Sequence, residues 1–418
     1  MLNPVIHKLK WSYRKNIFDI RGLLFQKYPG FIFESEPQPL KDEIPVFTFH
    51  SVKMESFQEQ LEFLYNNGYR TLSADEFYDI LVGQKPVPEN SVVLTFDDGW
   101  GSLWAIAYPL LEGYGFRAVS FLIPGLIVDD ATYHPNLKDV WRNKKTVNKV
   151  EEQDNGHLPL ATWQEIETMH QSGVMDFQAH TMYHSLIFTS PKLVDFINPR
   201  FDFYRFGNIN VPIFSTNGQD NVRRTADWGT PIYESEPRLF TQPRYYDNEQ
   251  LRQRCIQFVK ENGGLEFFKQ RNWRQRLHAY FQKAQQELGR NGHFETLELQ
   301  TQAILEDLQK ARCEIERRLP GKQVRHVCYP WFMGCQLSVE MSKKAGYVTN
   351  FWGSLQERKT NRPGDDPFHV CRLEDGYIFR LPGIGRKSLK KLISQKFQQN
   401  WSGFIKNSQA KKEYTVTT

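Results

Sequence analysis

Two adjacent carboxylates stand in the segment Thr95-Phe96-Asp97-Asp98-Gly99, directly after an apolar run. Side chains of neighbouring residues in a strand point to opposite faces, so both carboxylates reach one site only where the strand ends and the backbone turns. Gly99 permits that turn because it carries no side chain. Two close carboxylates repel each other unless a cation or a shared proton relieves them. The segment predicts an acid pair at a strand end, with an ordinary Asp-Asp-Gly surface turn as the alternative.

Two histidines follow a later apolar run, in the segment His180-Thr181-Met182-Tyr183-His184. Histidines at i and i+4 lie on one face of a helical turn and can hold one divalent cation. Taken alone, a pair of polar loop histidines would explain this spacing better. However, this segment and the acid pair both come at the carboxyl ends of predicted strands, where α/β barrels form their active sites. The joint placement predicts a single metal site to which both segments contribute.

The elements that position these two segments alternate along the chain. Apolar runs of strand length occupy residues 44–50, 91–96, 118–123, 174–179, 324–329 and 346–352. Capping boxes begin two of the intervening helices, at Ser73–Glu76 and at Thr162–Glu165. An amphipathic stripe predicts one long helix over residues 297–319. This alternation of strands and helices predicts a parallel sheet covered by helices.

Composition excludes several classes of protein. Hydrophobic residues make up 40% and charged residues 24% of the 418 positions, so a folded core is expected rather than disorder. The net charge of +5 is small for this length and predicts no nucleic-acid partner. The five cysteines are scattered without a CxxC pair, which argues against a disulfide framework and against a cysteine-based zinc site. No apolar run reaches the roughly 18 residues that a membrane-spanning helix needs, and no leader segment is visible. The sequence therefore predicts a cytoplasmic protein, with the membrane surface as a second possible location.

Four regions are predicted from changes in pattern. They are a basic and apolar extension (1–40), a barrel in two parts (41–190 and 296–385), an insertion (191–295) and a basic tail (386–418). The extension predicts either an amphipathic helix on a membrane, hence a peripheral membrane association, or a helix packed on the main domain. No feature of the sequence predicts an oligomeric state.

The insertion mixes arginines with aromatic residues. Those singled out are Arg200, Arg205, Arg223, Arg224, Trp228 and Tyr233. Because the insertion follows the histidine segment, residues 196–233 are predicted to cradle a sugar chain or an anionic lipid-linked carrier. Residues 247–290 are predicted to form an accessory helical subdomain with a small core of its own.

The acid pair and the histidine segment, in this order, resemble the motifs of the polysaccharide deacetylases (NodB homology, carbohydrate esterase family 4). The run Pro45–Val52 resembles the first strand of that family, with Phe49 where a tyrosine is usual, and Cys328-Tyr329-Pro330-Trp331 resembles its third motif. The resemblance covers residues 44–190 and 296–385. It implies the fold class α/β, as a distorted (β/α)7 barrel with a large, partly helical insertion.

The resemblance also implies roles for the residues of the two segments. Asp98, His180 and His184 would bind one divalent metal ion, and Asp97 would be the general base. Two imidazoles and one carboxylate suit zinc, with cobalt, nickel or manganese as alternatives. Such a cation makes water a better nucleophile and polarises an amide carbonyl.

The third motif implies a wall of the sugar groove. Tyr329, Pro330 and Trp331 would contact the substrate, and the backbone N–H of Tyr329 would help to hold the oxyanion. The family commonly carries an arginine in this motif that orients the base, but residues 325–330 place no arginine clearly in that position. Arg372 and Asp375 are candidates for orienting Asp97 or His50, with a surface salt bridge as the alternative.

The last motif of the family usually contributes a histidine that acts as the general acid. The corresponding stretch, residues 380–386, contains none. His50, at the end of the first predicted strand, is the substitute that we predict, with a purely hydrogen-bonding role as the alternative. His326 and His369 are weaker candidates.

Three functions follow from these residues. The first is a metal-dependent hydrolase that removes N-acetyl groups from amino-sugar residues of a polysaccharide or a glycan precursor. Its partner would be an N-acetylated glycan or glycolipid. The second is an O-acetyl esterase or a cyclic-amide hydrolase of the same superfamily, because activated water attacks esters and amides alike. The third is a carbohydrate-binding protein with impaired catalysis, suggested by the missing arginine and terminal histidine.

Overall fold

Seven parallel strands form a curled sheet in the computed structural model of this chain. The structure describes residues 21–395 except 131, 156–158, 202–207, 290–291 and 356–357. The strands are β1 (Val46–Phe49), β3 (Ser91–Asp98), β4 (Ala118–Leu122), β5 (Met175–Ala179), β12 (His326–Cys328), β13 (Thr349–Phe351) and β14 (Leu373–Glu374), and the short β2 (Arg70–Thr71) pairs with β3. Their order across the sheet is β13-β12-β5-β4-β3-β1-β14. All of these pairings are parallel, as the alternation of strands and helices predicts.

The stretch from Val370 to Leu373 joins the two edges of this sheet. Val370 bridges Phe351 of β13, and Leu373 of β14 pairs with Phe47 of β1. The barrel is distorted because β12 and β5 pair at one position only, Val327 with Ala179. The predicted fold class, a distorted (β/α)7 barrel with a large, partly helical insertion, is confirmed.

Helices cover the outside of the barrel. They are Met54–Asn66, Ala74–Leu81, Tyr108–Tyr114, Trp163–Gln171, Leu297–Arg318 and Gln336–Lys344, with a π-helical stretch at Leu103–Ala107 and shorter helices at Gly30–Phe33, Leu137–Trp141 and Val147–Glu151. Both predicted capping boxes are present: Ser73 and Thr162 each accept a hydrogen bond from the backbone N–H of the glutamate three residues on. Because these bonds satisfy N–H groups that a helix start leaves free, they fix where the two helices begin. None of the helices in the described ranges is long and apolar enough to cross a membrane.

A second hydrophobic core lies in the insertion. Its largest elements are the antiparallel strands β6 (Leu186–Phe196) and β9 (Pro231–Pro237) and the helices Glu249–Glu261 and Trp273–Leu288. The remaining strands, β7 (Ser215–Thr216), β8 (Gln219–Asp220), β10 (Tyr245–Tyr246) and β11 (His293–Phe294), form two small pairs. Buried apolar residues from Phe188 to Ala284 make up this core, which is separate from that of the barrel.

One predicted boundary of the insertion lies inside a strand of this structure. The boundary between residues 190 and 191 falls inside β6, whose pairing with β9 is interrupted by two register shifts. Such irregularities break the alternation of apolar and polar residues, which is why this stretch shows no period in the sequence. Residues 1–20 of the predicted extension and residues 396–418 of the predicted tail lie outside the described residues.

Candidate metal centre and active site

The acid pair lies at the carboxyl end of β3, where the backbone turns sharply. Asp97 and Asp98 are the last two residues of the strand, and both are buried. The turn begins one residue earlier than predicted, because Asp98 already has a φ of +74° and Gly99 follows with +83°. Trp100 holds the second carboxylate, since its indole Nε1–H donates to Asp98 Oδ2 at 3.1 Å. A non-glycine residue in the left-handed region is uncommon and often marks a functional site.

The two histidines lie in a loop, so the prediction that they share a face of a helical turn is wrong. Residues 180–184 contain no helix, and Thr181 and His184 have left-handed φ values of +65° and +52°. The loop nevertheless brings the imidazole rings of His180 and His184 to 4.9 Å between centroids. Proximity thus arises from a tight turn rather than from helical spacing.

Asp98, His180 and His184 converge on one point. Asp98 Oδ1 lies 3.5 Å from His180 Nε2 and 3.8 Å from His184 Nε2, and one ligand atom from each of the three residues lies within 4.8 Å of the others. These separations are longer than hydrogen bonds. Two ligand atoms of a tetrahedral zinc ion, each roughly 2.1 Å from it, lie about 3.4 Å apart. The donor set therefore fits a single divalent ion.

The protonation states of the histidines suit that role. Burial lowers the pKa of both imidazoles, and for His184 the neighbouring charges of His180, Arg224 and His50 lower it further. Neutral imidazole is the form that binds metal ions. His180 Nδ1 donates to the backbone oxygen of Cys328 at 2.9 Å, which directs its Nε2 lone pair toward Asp98.

Asp97 is clamped by Arg372. The guanidinium donates from Nη1 to Asp97 Oδ1 at 2.7 Å and from Nη2 to Oδ2 at 2.8 Å, and both side chains are almost fully buried. Burial alone would raise the pKa of the Asp97 carboxyl, but the charge and hydrogen bonds of Arg372, together with the charges of His180 and His50, more than offset it and hold that pKa well below its usual range. The third motif lacks the expected arginine, and Arg372, in the connection between β13 and β14, lies beside Asp97 instead. Of the two predicted orienting candidates, Asp375 instead accepts a hydrogen bond from Gln60 at 2.8 Å.

A second group of candidate ligands shares His180 with the first. Asp97, His180 and Cys328 also offer three atoms within 4.8 Å of one another. Arg372 already occupies this group, because it binds both oxygens of Asp97 and its Nη2 lies 2.9 Å from Cys328 Sγ. Burial also raises the pKa of the Cys328 thiol well above its usual value, which disfavours the thiolate that a metal ion needs. The Asp98 group is therefore the better metal site.

His50 follows β1 and is exposed at the same end of the barrel. Its ring lies 6.1 Å from that of Phe332, and its charge lowers the pKa of both Asp97 and His184, so it lies near the acid pair and the histidines. The two weaker candidates for the general acid have other partners. His326 is fully buried and contacts Thr349 and Asp75, while His369 pairs with Asp366 at 2.6 Å. Geometry thus favours His50 among the three.

The predicted groove wall is only partly present. The side chain of Tyr329 is fully buried, its hydroxyl accepts from Asn350 Nδ2 at 2.6 Å, and its backbone N–H donates to the oxygen of Phe351 at 3.1 Å. The predictions that Tyr329 contacts the substrate and donates to an oxyanion are therefore wrong, because both groups are used inside the barrel. Pro330 is also buried, whereas Trp331 is partly exposed and its ring lies 3.9 Å from that of His184.

Among the described residues of the insertion, the two aromatic residues singled out, Trp228 and Tyr233, pack in or against its core rather than forming the predicted cradle. Tyr233 is buried in the second core and contacts Phe188, and Trp228 packs against that core near Phe268. Both residues pack there because β9 and the elements around it bury their apolar side chains against one another.

The arginines of the insertion have different positions. Arg200 and Arg223 are exposed, and Arg205 lies outside the described residues. Arg224 is fully buried and contacts the histidine loop, which sequence analysis did not anticipate. Nothing in the sequence distinguishes it from its exposed neighbour.

Comparison with known proteins finds a family model that matches part of this chain. Residues 84–254 match a family model described as polysaccharide deacetylase. This range contains the acid pair and both histidines and continues into the segment predicted as an insertion. It does not reach His50, Trp331 or Arg372, and the roles of all these site residues stay predictions.

Curated relatives match about a third of this chain. The poly-beta-1,6-N-acetyl-D-glucosamine N-deacetylase of Escherichia coli (strain K12) is 31% identical over 142 residues, which cover 34% of this chain and 19% of that protein. The protein of the same name from Staphylococcus aureus (strain MSSA476) is 25% identical over 132 residues, which cover 32% of this chain and 37% of the relative. The chain thus spans less than two-fifths of the length of either relative.

Among solved structures, the BpsB deacetylase domain from Bordetella bronchiseptica is 15% identical, with a TM-score of 0.47 and coverage of 81% of this chain and 98% of that chain. The resemblance drawn from the motifs is confirmed over residues 84–254, where the chain matches the polysaccharide deacetylase family model.

Proposed function

We propose that the protein is a metal-dependent hydrolase that removes N-acetyl groups from amino-sugar residues of a polysaccharide or a glycan precursor. One observation carries the proposal: Asp98, His180 and His184 converge on one point, directly beside the ionised carboxylate of Asp97. The names of the relatives from E. coli and S. aureus support a polymer of N-acetylglucosamine as the substrate.

The donor set determines what the site can hold. Two imidazoles and one carboxylate suit zinc, and cobalt, nickel and manganese fit similarly. When bound, such an ion supplies a Lewis acid for the amide carbonyl and lowers the pKa of water. Asp98, His180 and His184 would hold it, each through one atom.

Asp97 would accept the proton of the attacking water. Its low pKa keeps the carboxylate ionised at neutral pH, and its Oδ1 has a lone pair left after accepting from Arg372, whereas Oδ2 also accepts from the thiol of Cys328. The bidentate clamp fixes the plane of the carboxylate, so the free lone pair of Oδ1 keeps a constant direction. A base fixed in this way needs no reorganisation during the reaction.

His50 would donate a proton to the leaving amine. When the carbon–nitrogen bond of the amide breaks, the nitrogen needs a proton, while the acetyl group leaves as acetate with the oxygen of water. His50 is exposed and lies near Asp97, so it can regain its proton from solvent after each turnover. Trp331, partly exposed beside His184, offers an aromatic surface next to the reacting bond.

Acetate release tests this proposal. The wild-type protein should release acetate from β-1,6-linked or β-1,4-linked N-acetylglucosamine oligomers, and a chelator should abolish the release. Asp97→Asn should reduce kcat by about 10²- to 10⁴-fold because the base is lost. Asp227→Asn, at an exposed carboxylate of the insertion, is the matched control and should leave the rate unchanged.

Three results would contradict the proposal. Acetate release from O-acetyl esters alone would indicate the esterase alternative. Release that a chelator does not affect would exclude the metal mechanism. Glycan binding that Asp97→Asn leaves intact, with no acetate released by the wild-type protein, would indicate a binding protein.

A further inference from the structure

The loop that carries both histidines needs support from outside. Thr181 and His184 both have left-handed backbone conformations, which non-glycine residues adopt only when their surroundings impose them. The barrel supplies part of this support. The N–H of Gly125 donates to the oxygen of Met182 at 2.9 Å, and the N–H of Met182 donates to Asp307 Oδ2 at 3.3 Å. These bonds hold the middle of the loop.

The insertion holds the end of the same loop. Arg224 Nη2 donates to the backbone oxygens of Tyr183 and His184, the latter at 3.1 Å. These oxygens belong to the two peptide groups that flank the Cα atom of His184. One guanidinium therefore fixes both peptide planes, and with them the direction in which the His184 side chain leaves the backbone.

His184 depends on this support more than His180 does. A histidine that binds a metal ion is usually oriented by a hydrogen bond from its other ring nitrogen. His180 has such a bond, from Nδ1 to the oxygen of Cys328. The Nδ1 atom of His184 is buried and has no hydrogen-bond partner among the residues that the structure describes. Its orientation therefore rests on its backbone and on packing against Trp331.

Arg224 is poorly suited to a purely structural role. Its side chain is fully buried, and its Nε and Nη1 atoms have no hydrogen-bond partner within the described ranges. A buried cation with unpaired donors usually costs more stability than an apolar side chain of similar size would. Asn221 stabilises the turn before Arg224. Its side-chain Oδ1 accepts from the N–H of Phe214, and its backbone oxygen accepts from the N–H of Arg224.

We propose that Arg224 is a positioning residue for the metal site, contributed by the insertion, and that it acts by fixing the backbone on both sides of His184. This inference rests on the proposed function only in that Asp98, His180 and His184 bind a metal ion. The insertion is then part of the active-site architecture, although its aromatic residues form a core of their own.

Metal affinity, measured without any substrate, tests this inference. The metal-free protein would be titrated with Co²⁺, followed by visible absorption, and with Zn²⁺ in competition with a chelating dye. Arg224→Met should bind both ions about 10- to 100-fold more weakly, as expected when an outer partner of a ligand is lost. Arg223→Met is the matched control, since it removes a neighbouring arginine that is exposed, and its affinity should equal that of the wild type.

Further variants separate positioning from folding. Arg224→Lys keeps the charge and can still donate to carbonyl oxygens, but its flexible ammonium lacks the rigid planar geometry of the guanidinium, so its affinity should lie between those of Arg224→Met and the wild type. Free guanidinium ion should restore affinity to Arg224→Ala, because it can occupy the space left by the side chain. Circular dichroism reports whether each variant is folded.

The outcomes distinguish this inference from the proposed function. Equal affinities of Arg224→Met and Arg223→Met, or no rescue of folded Arg224→Ala by guanidinium, would overturn the role of Arg224 even if the enzyme is active. A wild-type protein that binds neither ion would overturn the metal site itself. Weak binding by Arg224→Met with rescue by guanidinium supports the inference whether or not the wild type deacetylates a given glycan.

Discussion

The ion pair between Asp97 and Arg372 shows how single residues define this site. Both side chains are almost fully buried, and a buried ion pair of this kind contributes little net stability because both charges lose their water. Each remaining N–H group of the guanidinium nevertheless has a partner in the barrel, including Thr95 Oγ1 and the oxygen of Trp352. The pair is therefore best explained by what it does to Asp97, which it keeps ionised and oriented.

Replacing Arg372 should change the pH dependence of catalysis. In the wild type, the guanidinium holds the pKa of Asp97 well below its usual range, so the base stays ionised in moderately acidic solution. In Arg372→Met, burial would act on the carboxyl without the opposing charge and would raise its pKa. The acidic limb of the pH profile of kcat/KM should then move to higher pH by about 1–3 units.

The variant Arg372→Lys serves as the control for that shift. It keeps a positive charge beside Asp97 but loses the second donor, so its acidic limb should move less than that of Arg372→Met. An acidic limb at the same pH in Arg372→Met and in the wild type would show that Asp97 is not the base or that Arg372 does not set its pKa.

Replacing His50 should slow the departure of the amine. His50→Gln keeps a polar side chain of similar size but cannot donate a proton as a general acid, and kcat should fall by about 10²- to 10⁴-fold. The basic limb of the pH profile should disappear with it. His369→Gln provides the comparison, because His369 pairs with Asp366 and should be replaceable without a change in kcat. Similar rates for the two variants would exclude His50 as the general acid.

At the scale of elements, the sequence predicts where strands end more accurately than it predicts the backbone conformation of loops. The apolar runs before Asp97 and His180 correspond to β3 and β5, since runs of that length and composition favour buried strands. The i, i+4 spacing of His180 and His184 predicts a helical turn, whereas the structure has a loop at this position. Its left-handed residues, Thr181 and His184, carry no such signal, because the conformation is imposed by contacts with distant parts of the chain.

Thr181 links the backbone of this loop to its metal site. Its Oγ1 accepts a hydrogen bond from the N–H of His184 at 3.0 Å. Thr181→Val keeps the shape of the side chain but leaves that N–H without its acceptor, which should lower the free energy of unfolding by about 1–3 kcal/mol and weaken Co²⁺ binding. Thr181→Ser retains the hydroxyl and should bind Co²⁺ as the wild type does.

Urea unfolding of the metal-free proteins and Co²⁺ titration would measure both effects for Thr181→Val. If it bound Co²⁺ as tightly as Thr181→Ser does, the backbone of the loop would not control the histidines.

At the scale of the whole molecule, the site depends on residues that are far apart in the chain. Asp97 and Arg372 are 275 positions apart, and Arg224 reaches the loop from the insertion, 40 positions after His184. The cluster of Asp97, Asp98, His180 and His184 could be predicted from local motifs, because their spacing is short and the pattern is specific. The pairing of Arg372 with Asp97 and the contact of Arg224 with the histidine loop could not be predicted in this way. They depend on how the barrel closes and on where the insertion packs against it.

Metal binding should stabilise the folded protein as a whole. An ion that binds only the folded state adds about 2.7 kcal/mol to the free energy of unfolding at a concentration of about 100 times its Kd. Zn²⁺ should therefore raise the melting temperature of the wild type, measured by calorimetry. Asp98→Asn should lose this increase, whereas Asp227→Asn should keep it. An equal increase in both variants would place the bound ion elsewhere.

The most direct test of the account is anomalous diffraction from crystals of the protein grown with zinc. The account predicts one strong peak at about 2.0–2.2 Å from Asp98 and from the Nε2 atoms of His180 and His184. A peak coordinated by other residues, or no peak between these three side chains at saturating zinc, would contradict it.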